Sequence, residues 1–148
     1  MYEYVLIAHT LWRWVVIVAG LAAIATAVRG FKLDVPWEDR AARMGKLFGA
    51  AVDIQFLIGS SLYLIFSPMT TVALNVADGL PAGSELRFFG VYHGLLMTIA
   101  FLDVHVSAVF IRRGRTDAAR YRRSIALYGQ TLLIILCMIP WWRPLFRL

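Results

Sequence analysis

Four long apolar stretches constrain this chain more than any other feature: Val5–Val28, Leu47–Phe66, Phe88–Ile111 and Ser124–Trp142. Crossing the hydrocarbon core of a bilayer takes about 20 residues of helix, and each stretch is about that long. In lipid a backbone must satisfy its own hydrogen bonds, which a helix does within one segment. The stretches therefore predict an all-α integral membrane protein. With 148 residues the chain is expected to be one transmembrane domain, 1–148. Short connections predict a four-helix bundle running up-down-up-down.

Charge sets the expected orientation. The formal net charge is +6, but the basic residues cluster in two loops. Arg29, Lys32, Arg40, Arg43 and Lys46 lie in the first, and Arg112, Arg113, Arg115, Arg120, Arg122 and Arg123 in the third. The second loop has Arg87 with Asp78 and Glu85. Basic loops stay cytoplasmic, so both termini and the Ser67–Arg87 loop are expected outside, although Arg143 and Arg147 run against that rule. The pattern argues for lipid headgroups as the partner of these arginines and against nucleic acid. Tyr2, Tyr4, Trp141 and Trp142 fit an outer aromatic belt. The start Met1-Tyr2-Glu3-Tyr4 has no basic lead, so no cleavable leader is expected. The single cysteine, Cys137, is read as a packing residue. Pro36 is expected to open a short interfacial helix capped by Asp34. Asn75, Asp78-Gly79 and Pro81-Ala82-Gly83 mark turns in the second loop. Gly45 and Gly49, spaced i, i+4, are expected to admit a close helix neighbour, within the chain or from another subunit.

All three histidines fall inside apolar stretches. Ionisable side chains in a membrane usually face the interior and mark a site. Counting about 1.5 Å per residue from each midpoint puts His9 and His93 together about 10 Å outside the midplane. Asp53, Asp103 and His105 come out about 5–8 Å inside it, with Tyr128 and Gln130 near that level. The outer pair suits a b-type haem, which needs axial ligands from facing helices. Arg13 is one turn from His9, and Arg87 and Arg143 lie near the outer helix ends. Their guanidinium groups suit haem propionates. Met97, at i+4 from His93, is expected to line the ring. A single membrane histidine is also often no more than an interhelical hydrogen-bonding group, so the equal depth of two carries the reading. In the inner layer, Asp53 with His105 is the expected pair, and Gln130 lies beside them in depth. A quinone site, a proton relay and a structural ion pair all remain open there.

The motifs themselves are His9-Thr10-Leu11-Trp12-Arg13-Trp14, Asp53-Ile54-Gln55-Phe56-Leu57-Ile58-Gly59 continuing through Tyr63 to Ser67-Pro68, Arg87-Phe88-Phe89 before Tyr92-His93 with Met97 and Ala100 after, and Pro140-Trp141. Together they resemble a group of small bacterial four-span membrane proteins labelled "cytochrome b". The resemblance covers the spans and little of the loops. Residue by residue it reaches His9, Arg13, Gln55, Arg87 and His93. It implies membrane electron transport in the bacterial cytoplasmic (inner) membrane. It departs at Asp53, where the group often has histidine, which argues against a ligand from the second span or a second haem.

The leading expectation is thus a haem b-binding electron-transfer protein, with the haem near the outer face between the first and third helices and quinone as a further partner. One alternative is a non-catalytic structural subunit of a larger respiratory or photosynthetic membrane complex, so other membrane subunits or further copies of the chain are expected partners. Another is an ion- or metal-handling protein using Asp53 and His105. No hydrolase triad, phosphate loop or zinc spacing is evident.

Overall fold

The computed structural model describes residues 1–37, 39–76 and 79–143. Asp78 and Arg147, which entered the loop and charge reading, lie outside the described residues.

The chain is all-helical, and no β-strand occurs among the described residues. Helix α1 spans Tyr2–Lys32 and α2 spans Asp39–Ser61. A π-helical segment, Leu62–Phe66, extends α2. Short helices α3 (Pro68–Asn75) and α4 (Glu85–Arg87) fill the following connection. A second π-helical segment, Phe88–His93, leads into α5 (Gly94–Arg112), and α6 spans Asp117–Cys137. Among the described residues, three continuous helices are long and apolar enough to cross a membrane: Tyr2–Lys32, Asp39–Phe66 and Glu85–Arg112.

The long helices contact one another in a ring, with α1 and α5 each packed on both α2 and α6. Side-chain contacts tie these neighbours together. Trp12 on α1 donates to the carbonyl of Ala51 on α2 at 2.9 Å, and Phe56 on α2 stacks on Phe101 of α5 at 4.2 Å. Arg123 near the start of α6 donates to the carbonyl of Phe110 near the end of α5.

Residues at helical spacing build the core. Val16, Ala23, Phe48, Val52, Val104 and Leu132 are buried in one cluster. Glycines let the helices close. A Cβ on Gly20 would come within 2.9 Å of the Phe48 ring, and one on Gly45 within 2.5 Å of the Tyr128 hydroxyl. Gly45 therefore packs within the chain, whereas a Cβ on Gly49 would meet nothing within 4 Å.

Several local expectations need correction. The fourth stretch is not one helix over Ser124–Trp142. Helix α6 begins earlier, at Asp117, where the Thr116 hydroxyl accepts from the Ala119 amide at 3.1 Å. It ends at Cys137, and Pro140, which has no amide hydrogen, lies just beyond. Pro36 does not open a helix, because α2 starts at Asp39. Asp34 instead takes a left-handed conformation (φ 49°) just past α1, where the Val35 amide returns to the carbonyl of Gly30. The buried Tyr121 ring packs on Trp37 and its hydroxyl donates to Pro36, pinning this connection. The second loop holds helical structure as well as turns. Ser67 caps α3 with Pro68 at its first position, and Thr70 donates to the carbonyl of Tyr63 at 2.8 Å.

Candidate haem cleft between two histidines

His9 comes from the first third of α1 and His93 from the last position of the π-helical segment before α5. The structure brings them together, with ring centres 6.3 Å apart and ring planes at 72°. They share one cavity of about 700 Å³, a size typical of small-molecule sites. Its lining is mostly apolar and also holds Arg13, Gln55, Met97 and Arg143.

Each ring is held from behind. Nδ1 of His93 lies 2.9 Å from the carbonyl oxygen of Met138, just past α6. A carbonyl can only accept, so Nδ1 carries the proton and Nε2 keeps its lone pair. Metal-binding histidines are oriented in the same way. Phe88 and Phe89 flank the ring at 5.7 and 5.9 Å. On the other side, Gln55 donates to the backbone carbonyl of His9 at 3.1 Å, and its amide nitrogen lies 3.4 Å from Nε2 of His9. Gly59 lies beside the ring, where a Cβ would come within 3.0 Å of Cε1. Nδ1 of His9 and Oε1 of Gln55 are buried without a hydrogen-bond partner among the described residues. Buried polar atoms are normally satisfied, so both atoms are open to a water or another polar group.

Two imidazoles at this separation can hold one metal ion between them. Metal–imidazole bonds of about 2 Å, plus about 1 Å from nitrogen to ring centre, put two imidazoles on one ion about 6 Å apart. The observed 6.3 Å allows that arrangement and is also an ordinary spacing for two packed rings. Among the described residues no group of three or more His, Cys, Asp or Glu gathers as a metal site, whereas one or two side chains are enough to hold a haem iron.

The other candidates divide. Met97 and Arg13 line the cavity, and Arg13 also lies over the Trp14 ring at 5.6 Å. Arg143 lines it too, but its Nε and Nη2 grip the carboxylate of Glu85 at 3.1 and 2.5 Å, and its guanidinium sits 4.5 Å from the Phe89 ring centre. Arg87 is not among the lining residues; its guanidinium lies 5.6 Å from the Tyr92 ring. Asp53 and His105 are joined at 2.8 Å, outside the cavity lining. Gln130 donates to Asp103, not to that pair.

Sequence reasoning missed Met138, Glu85 and Tyr63. Tyr63 donates to the carbonyl of Gly90 at 2.5 Å and so ties the two π-helical segments together. Such bulges recur at functional sites, and both border this cavity. Compared with known proteins, the chain matches no family model, no curated protein and no solved structure.

Proposed function

We propose that the chain is a haem b-binding membrane protein of electron transfer, in which His9 and His93 would hold the iron. One observation carries this reading: two imidazoles, His9 on α1 and His93 at the end of the π-helical segment before α5, lie 6.3 Å apart at one mostly apolar cavity, the second with its Nδ1 proton engaged by Met138. A bound haem would supply one-electron redox chemistry. The chain supplies the rest. Gln55 and Gly59 position His9, Met138 orients His93, Met97 and the phenylalanines exclude water, and Arg13 offers positive charge one turn from His9. Arg143 can meet a propionate only by sharing or leaving Glu85.

In this reading α6 is the fourth span, the bundle runs up-down-up-down in a bacterial inner membrane, and both termini lie outside with the cavity near that face. The ring of contacts among the four long helices and the two arginine-rich connections support it. Quinone and other membrane subunits are the partners it calls for. An ion path through Asp53 and His105 draws less support, because that pair lies away from the cavity. The test is haem content. Purified from membranes, the chain is expected to carry about one protohaem by the pyridine haemochrome assay, and a well-folded, haem-free chain from haem-replete cells overturns the reading.

A further inference from the structure

Helix α5 carries polar groups along both seams with its neighbours. On the α2 side, Nε2 of His105 lies 2.8 Å from Oδ1 of Asp53, and the two side chains are 50% and 41% exposed. On the α6 side, Asp103 accepts from Gln130 at 3.0 Å and from Thr131 at 2.6 Å, and Gln130 is exposed. Asp103 and His105 are two residues apart, about 200° around the helix and about 3 Å in height. Val104 between them points inward and is buried. Both polar seams therefore open outward at one level, with Leu95, Ile99, Leu102, Val106 and Phe110 exposed on the face of α5 that lies between them.

Carboxylates, imidazoles and amides facing hydrocarbon are strongly disfavoured, and polar side chains in membranes turn to other helices. The arrangement also says which helices. A two-fold axis along the bundle, facing α5 with α5, brings the left seam of one copy against the right seam of the other at the same height, twice. Among the described residues, Oδ2 of Asp53 and Nδ1 of His105 have no hydrogen-bond partner, and Gln130 has a second amide hydrogen and its carbonyl to offer. Gly49, one turn before Asp53 on the same face of α2, leaves open space for the approach.

We propose that the chain forms a parallel two-fold dimer across α5, in which the Asp53–His105 seam of each copy meets the Asp103–Gln130 seam of the other. The pairing is isologous and closes at two copies. It does not depend on haem.

Cysteine cross-linking in native membranes tests it. In a Cys137→Ala background, Leu102→Cys is expected to give an oxidant-dependent dimer of this chain. Val18→Cys, exposed on α1, is expected to give none. His105→Ala and Gln130→Ala each remove a contact twice and should weaken dimerisation about tenfold. Helix content by circular dichroism of the purified variants checks that they remain folded. A Leu102→Cys chain that stays monomeric, that links to a different protein, or that dimerises equally with His105→Ala or Gln130→Ala overturns the proposal.

Discussion

His93 gives its Nδ1 hydrogen to the carbonyl of Met138 at 2.9 Å, so the end of α6 orients a ring carried by the segment entering α5. Helix ends leave carbonyls without intrahelical partners, and here one such region holds the histidine that faces His9. The cavity thus depends on the end of α6, where Ile135 and Met138 line it.

The two histidines should respond differently to substitution. His93→Ala removes the ring and leaves the Met138 carbonyl without its donor, so thermal stability of the haem-free protein should fall by about 1–2 kcal/mol. His9→Ala leaves the Gln55 bond to the His9 backbone carbonyl intact, and the haem-free protein should be less affected. Thermal unfolding of both variants in detergent checks the order.

Gly45→Ala should destabilise by about 1–3 kcal/mol, because its Cβ would press on the Tyr128 ring between α2 and α6. Gly129→Ala is the control. Its Cβ would meet nothing within 4 Å, and better helix propensity should leave stability unchanged or raise it by up to about 1 kcal/mol. Equal losses at the two sites would contradict the packing described.

Tyr121→Phe should cost about 1 kcal/mol, because the hydroxyl that donates to Pro36 at 2.9 Å belongs to a ring buried in the core. Asp34→Gly should hold or raise stability, since glycine suits the left-handed residue past α1. Denaturation of each variant, and hydrogen exchange over residues 33–37, report on this connection.

Glu85→Gln should loosen the segment around Trp142 and Arg143 without unfolding the bundle. Glu85 accepts from both residues. The expected result is faster proteolysis after Cys137 with unchanged helix content. Unchanged proteolysis would mean that the Glu85 contacts do not hold that segment.

The long helices were legible because apolar length and basic connections are properties of local sequence. Counting residues along spans was enough to bring His9 level with His93 and Asp53 level with His105, and both pairs meet. Counting could not place Arg87 on Tyr92 or Gln130 on Asp103, because rotation about a helix is set by packing. Nor could it find Glu85 for Arg143 or Met138 for His93, whose partners lie 58 and 45 residues away. The π-helical segments left no trace in the pattern, since one extra residue in a turn changes hydrogen bonding and not composition. Helix α3 was signalled by Ser67-Pro68, a cap and first-turn pair hidden among the turn residues of that connection.

The central claim is that His9 and His93 bind one haem together, and a reduced-minus-oxidised visible spectrum of the purified chain tests it most directly, read beside His9→Ala and His93→Ala. The account predicts sharp low-spin α and Soret bands in the parent chain that are lost in each variant while the fold is retained. Low-spin six-coordinate haem persisting in both variants, or no haem in a folded parent chain from haem-replete cells, would contradict it.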